Sequence, residues 1–168
     1  MPPLLHIVGR QNHGKTTFVV ELVRALTNRG FRVGTIKHSG HQHEFDTPGK
    51  DSHQQRVAGA KPAAVVGASL LAIFETRDPD DDPYARLLPH YQNCDIVLIE
   101  GGISGPGPKL EVWRAERGTE PMALQYPDAN IVAVISDDSP QVDQPIWRRS
   151  DGEALATNVV ELLKVDPS

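Results

Sequence analysis

Gly9 to Thr16 reads GRQNHGKT. A glycine, four residues, then Gly14, Lys15 and Thr16 is the spacing of a phosphate-binding loop. In such a loop the backbone N–H groups of Gly9, Arg10, Gln11, Asn12, His13 and Gly14, with the helix N-terminus that follows, turn partial positive charge toward a polyphosphate. Lys15 is expected on the β- and γ-phosphates. Thr16 would set its hydroxyl on Mg²⁺, and Thr17 would meet the α-phosphate.

This chemistry needs a second carboxylate near the metal, at the end of a buried strand. The run DIVLIE offers Asp95 at one end and Glu100 at the other. Glu100 precedes Gly101 and Gly102 and is expected at the carboxyl edge beside the loop, as a metal or water ligand; Asp95 reads as a strand-entry turn residue. The segment HSGHQHEFDTPGK from His38 to Lys50 carries three histidines with Glu44 and Asp46. In a nucleotide switch protein such a segment orders around γ-phosphate and Mg²⁺, and Asp46 is chosen for that role. His38, His41 and His43 also allow a transition-metal site, although CxxC and HxxxH spacings are absent. Arg10 has two readings, a cation that compensates phosphate charge and a solvent-exposed loop residue. Trp113 and Trp147 read as packing residues.

The elements that must position these groups follow from periodicity. Leu4 to Val8 is an apolar strand stopped by glycine, and from Lys15 the pattern becomes helical, with Phe18, Val19, Leu22, Val23 and Leu26 on one face. Gly30 ends that helix and Phe31 to Lys37 alternates as a second strand. A long loop from His38 to Lys50 leads to a short helix at about 51–58. Ala63 to Phe74, broken by Gly67, is expected as two buried strands, and Tyr84 to His90 as a short helix. Asp95 to Glu100, Lys109 to Trp113 and Ile131 to Ser136 are further strands, with GGISGPGP between the first two as a flexible loop. Gly152 to Lys164 closes the chain as a helix. Strands alternating with helices imply a mainly parallel twisted sheet with some mixed character, flanked by helices in the three-layer P-loop arrangement.

With 168 residues, a single nucleotide-binding domain over 1–168 is expected. A net charge of −5 argues against a broad grip on nucleic acid, and no stretch is long enough to span a membrane. Cys94 is the one cysteine, so an intramolecular disulfide is excluded. With no signal-peptide pattern at the N-terminus, a cytoplasmic location is expected.

Taken together, GRQNHGKTT, GTIKH at Gly34 to His38, DTPGKDS at Asp46 to Ser52, RVAGA at Arg56 to Ala60, DIVLIEGG at Asp95 to Gly102 and PKLEVWR at Pro108 to Arg114 resemble the MobB family, the molybdopterin-guanine dinucleotide biosynthesis protein B family. The resemblance implies a GTP-binding homodimer with weak Mg²⁺-dependent GTPase activity. It would act mainly as an adapter beside the molybdenum cofactor guanylyltransferase, with molybdopterin as a further candidate ligand. It supports Gly14, Lys15, Thr16 and Thr17 at the phosphates, Asp46 in the switch-like loop and Glu100 near the metal. Asp137, in SDD after a late strand, resembles a position where a carboxylate bonds guanine N1 and N2. An NKxD motif is lacking, so guanine preference rests on the resemblance. Two other readings stay open: a metallochaperone-like GTPase, from the histidine-bearing loop, and a small-molecule P-loop kinase.

Overall fold

The computed structural model describes residues 1–40, 44–78 and 80–167. Its internal contacts group into two compact units, one of residues 1–40 with 88–168 and one of residues 41–87.

The first unit is built on six strands: β1 (Leu4–Val8) and β2 (Val33–Lys37), then, after the second unit, strands Ile96–Glu100, Lys109–Val112, Ile131–Ile135 and Ile146–Trp147. Within the second unit lie strands β3 (Ala63–Val66) and β4 (Leu71–Phe74), so the later four are β5 to β8 in chain order. The six-stranded order is β2-β5-β1-β6-β7-β8 and every pairing in it is parallel. The mainly parallel sheet is as expected, and among the described residues the antiparallel pairing is confined to a second sheet, the two-stranded β3–β4 ribbon.

Helices α1 (Lys15–Asn28) and α4 (Gly152–Leu163) pack beside each other on one face. Inward residues of alternate strand positions, Leu5 and Ile7, Ile96 and Leu98, Leu110 and Val112, meet Phe18, Leu22 and Leu26 of α1 and Leu155 and Val159 of α4. The period of two on the strands and of 3.6 on the helices brings these sets together, and their burial drives the layer. The other face has a smaller core of Val8, Ile131 and Val134, covered by the one-turn helix α3 (Met122–Gln125) and by Ile103 and Trp113. Two charged side chains are buried on this strand face as well. Glu111 accepts Met122 N at 2.6 Å and Ala123 N at 2.9 Å, and Lys109 donates to Gly105 O and Gly107 O at 2.8 and 3.0 Å. The glycine-proline loop expected to be flexible is therefore tied down by Lys109, with His6 Nδ1 bonded to Gly101 O at 2.9 Å.

In the second unit, α2 (Asp51–Val57) precedes the ribbon. The expectation of two buried strands is corrected here. Val65, Val66, Leu70, Leu71 and Ile73 are all exposed, Val66 and Leu70 at 81 %. Apolar content reads as burial in a sequence, yet a two-stranded ribbon has no second layer within itself to supply it. The helix expected over 84–90 is instead a 3₁₀ turn at Leu88–Tyr91.

Candidate phosphate-binding site

The parallel sheet reverses its strand order on either side of β1, and the loop after β1 leaves at that crevice, where open α/β sheets place ligands. Gly9 has φ 142°, and a side-chain carbon there would lie 2.5 Å from Val112 O of β6, so only glycine admits the close approach of loop and neighbouring strand. Gly14 caps α1 in the left-handed region at φ 89°. The first turn of α1 has no acidic residue and no side-chain cap, so its leading N–H groups face outward with the positive end of the helix dipole.

Lys15 Nζ reaches back along the loop to Arg10 O at 2.8 Å. Burial pushes its ammonium below the usual lysine range, with Glu100 opposing that shift. Thr16 Oγ1 donates to Glu100 Oε1 at 2.9 Å, and Lys37 Nζ reaches the same oxygen at 2.7 Å. Register explains the meeting: Ile7 of β1 and Lys37 of β2 both pair with Glu100 of β5, so the carboxylate stands at the strand end between the loop and Lys37. The structure thus brings Thr16 and Glu100 together, and oxygens of this kind suit a hard cation such as Mg²⁺. Asp95, at the opposite end of β5, holds Arg32 through its backbone N at 2.7 Å and its guanidinium at 2.9 Å, which is the structural reading of that residue.

Arg10 is exposed and its guanidinium donates to Gln125 Oε1 of α3. Asn12 adopts φ 66°, and His13 is buried at 1 % exposure. His13 Nδ1 accepts Arg114 N at 3.0 Å and Nε2 meets Thr119 Oγ1 at 3.0 Å, so the loop is pinned to the segment after β6. Burial and the surrounding cations Lys15, Arg117 and Arg114 hold this imidazole below the ordinary histidine range.

Beside the loop, at the carboxyl ends of β6 and β7, lies a cavity of about 280 Å³ lined by Val112, Trp113, Arg114, Glu116, Ile135, Asp137, Asp138 and Arg149. Asp137 Oδ1 accepts Ser150 N at 2.9 Å and Ser150 Oγ at 2.8 Å, bonds that hold its carboxyl below the usual range. Asp138 Oδ2 accepts Ala115 N at 2.8 Å. Arg149 pairs with Glu21 of α1 and lies over the Phe18 ring at 5.2 Å. Trp113 packs against the smaller core, with Nε1 donating to Thr119 O at 2.8 Å, and Trp147 packs against the larger one, as expected for both. Arg114 and Arg149 were not singled out from sequence; a basic residue directly after a strand that neighbours the loop strand was the available signal for the first.

In the second unit, Asp46 is buried. Its Oδ1 accepts Thr47 N at 2.8 Å and Ser52 Oγ at 3.0 Å, and Arg56 stands 3.6 Å from Oδ2. Arg56 also bonds Glu44 at 2.8 Å, which holds that carboxyl below its usual range. His41 and His43 lie outside the described residues. Among the described residues no group of three or more His, Cys, Asp or Glu is arranged to hold a metal ion, and no helix is long and apolar enough to cross a membrane.

Residues 4–137 match the family model for MobB, described as molybdopterin guanine dinucleotide synthesis protein B. The chain is 33 % identical over 168 residues to the molybdopterin-guanine dinucleotide biosynthesis adapter protein of Escherichia coli, covering 98 % of this chain and 95 % of that one. It is 38 % identical over 137 residues to the probable adapter protein of Bacillus subtilis, with 79 % and 75 % covered. Among solved structures, Bacillus subtilis MobB superimposes with a TM-score of 0.73 at 31 % identity, over 95 % of this chain and 98 % of that one. The MobB homologue from Bacillus stearothermophilus gives 0.69 at 25 % identity, with 96 % and 97 % covered.

Proposed function

The chain belongs to the molybdopterin guanine dinucleotide synthesis protein B family, and from that premise we propose that it is a GTP-binding adapter in molybdenum cofactor biosynthesis, assisting conversion of molybdopterin to its guanine dinucleotide form. The observation that carries the nucleotide half of this reading is the Thr16–Glu100 hydrogen bond at 2.9 Å, beside a glycine-capped helix start.

In this reading the loop backbone from Gly9 to Gly14 binds the phosphates, Lys15 takes the β- and γ-phosphates and Thr17 the α-phosphate. Thr16 and Glu100 hold Mg²⁺, which supplies charge compensation on the phosphates when bound. Asp46 is proposed as the residue of the second unit that responds to the γ-phosphate. Asp137, with one carboxylate oxygen engaged by Ser150, offers the other to guanine N1 and N2. Lys15 withdraws electron density from the transferring phosphoryl group, and Glu100 or Asp46 orients water, so turnover by this chain alone is slow.

The proposed partner is the molybdenum cofactor guanylyltransferase, with molybdopterin as a possible further ligand, and the proposed compartment is the cytoplasm. We assign the chain as a homodimer; the exposed apolar row on the β3–β4 ribbon supports a protein contact there. A single nucleotide-binding protein spanning 1–168, both units included, is the arrangement this reading uses.

Titration calorimetry of GTP against ATP, each with Mg²⁺, tests it. Strong preference for GTP is expected. Equal binding, or preference for ATP, removes the guanine assignment and brings the small-molecule kinase forward. Capture of the guanylyltransferase on the immobilised chain tests the adapter role; absence of capture in every nucleotide state sinks it.

A further inference from the structure

Arg114 leaves β6 directly beside the phosphate loop, and its backbone is fixed there by the Arg114 N to His13 Nδ1 bond at 3.0 Å. Its side chain turns onto the loop. A side-chain carbon built on Gly14 would lie 2.8 Å from Arg114 Nη2, so the guanidinium rests against the glycine that precedes Lys15. The same side chain lines the 280 Å³ cavity that contains Asp137. A ligand with its phosphates on the loop and its base in that cavity has to pass this guanidinium.

Among the described residues the Arg114 side chain makes no hydrogen bond. Its one charged partner is Glu116, with Oε1 at 3.6 Å from Nη1, a separation too long for a hydrogen bond. Glu116 has a second cation at similar range, Arg117 Nη2 at 3.5 Å. A half-exposed guanidinium fork on a fixed backbone, held only by a loose and replaceable carboxylate, is matched to a phosphate, which it binds through two parallel N–H bonds.

We infer that Arg114 is a phosphate clamp acting in cis: it exchanges Glu116 for the diphosphate portion of the nucleotide, while Arg117 keeps Glu116. This deepens the nucleotide reading and rests on it. It also supplies in one chain the second phosphate cation that Arg10, held by Gln125, does not provide in this structure.

Displacement of a fluorescent GDP from the full-length chain, with GTP, GDP and guanosine as competitors, tests the assignment. Arg114→Ala leaves the backbone bond to His13 in place. It should weaken GTP and GDP by roughly 10- to 100-fold, the size of a lost charge-assisted pair, and leave guanosine unchanged. Arg114→Lys should recover only part, because an ammonium lacks the fork. Glu116→Gln, which keeps Arg114, should tighten GDP about two- to threefold, as expected for loss of one exposed competing charge. Equal losses for guanosine and GDP would make Arg114 a base-reading residue and overturn the clamp, as would unchanged GDP affinity in Arg114→Ala or no tightening in Glu116→Gln. Failure of the unsubstituted chain to bind any of the three ligands removes the loop reading itself, an outcome distinct from loss in the variants alone.

Discussion

Thr16 and Glu100, 84 residues apart, share a hydrogen bond of 2.9 Å at the mouth of the phosphate loop. Lys37 Nζ reaches the same carboxylate oxygen at 2.7 Å, so the acidic group is already directed at the mouth of the loop before any cation competes for it. Glu100→Gln keeps the shape and an acceptor but removes the charge proposed to bind Mg²⁺. Affinity for GTP in the presence of Mg²⁺ should fall by about tenfold or more, the cost of one charged contact, while affinity in excess chelator stays unchanged. Calorimetry under the two conditions separates the cases. Equal affinities with Mg²⁺ would take Glu100 out of the metal site.

Asp137 is held by Ser150 through one oxygen, which fixes the carboxylate at the edge of the cavity. Asp137→Asn retains an oxygen for Ser150 and replaces the other acceptor with an N–H donor, which faces the N1–H and N2–H₂ donors of guanine with like polarity. The GTP-to-ATP preference should drop by about tenfold or more, since a polar group built to pair and left unpaired costs about 1–3 kcal/mol. A preference equal to that of the unsubstituted chain would place base reading elsewhere, with Asp138 the next residue to substitute.

His13 carries a pH dependence whose sign follows from its burial. The neutral ring accepts Arg114 N at Nδ1, and its proton affinity is depressed in the folded chain. Between that depressed value and about 6.5, the ordinary value, the unfolded chain binds the proton and the folded chain does not, so stability rises with pH through this window. The contribution is fully present above pH 6.5 and is lost as pH falls. His6 is buried and depressed in the same sense, whereas buried Glu111, raised by desolvation, acts in the opposite one. Comparison with His13→Gln isolates the term: urea unfolding at pH 7.5 and 5.5 should show a larger acid loss in the unsubstituted chain than in the variant. Parallel losses would mean that His13 keeps one protonation state across the range.

The main frame was legible from residues because strong periods coincide with real burial. Leu4–Val8, the start of α1 at Lys15 and the end of β5 at Glu100 fall where spacing put them. Short and context-dependent features were not legible. Strand β8 has two residues, Ile146 and Trp147, too few for any period. The alternation of KLEVW suggests one wet face, yet Lys109 and Glu111 are both buried, because backbone carbonyls of the glycine loop and backbone N–H groups of α3 satisfy them. The contact of Arg114 with the phosphate loop joins residues 101 positions apart and exists only through the β1–β6 pairing. At the ribbon, apolar residues mark exposure, which composition alone reads in reverse.

That exposed row yields the last expectation. Val66 and Leu70 flank the turn between β3 and β4, each 81 % exposed, with Leu71 at 63 % beside them. Each strand of the ribbon has one neighbour among the described residues, so each also presents an unpaired backbone edge, a form that readily joins another chain. If the proposed homodimer forms through this surface, Val66→Asp with Leu70→Asp places two charges in its apolar centre. Light scattering after gel filtration should then report a monomer at concentrations where the unsubstituted chain is a dimer. Neither residue belongs to the unit that carries the phosphate loop, so the variant also asks whether nucleotide binding needs the dimer. GDP affinity within about twofold of the unsubstituted value would assign the complete phosphate site to one chain, as a cis-acting Arg114 requires. A dimer that persists in the double variant would exclude the ribbon as its interface.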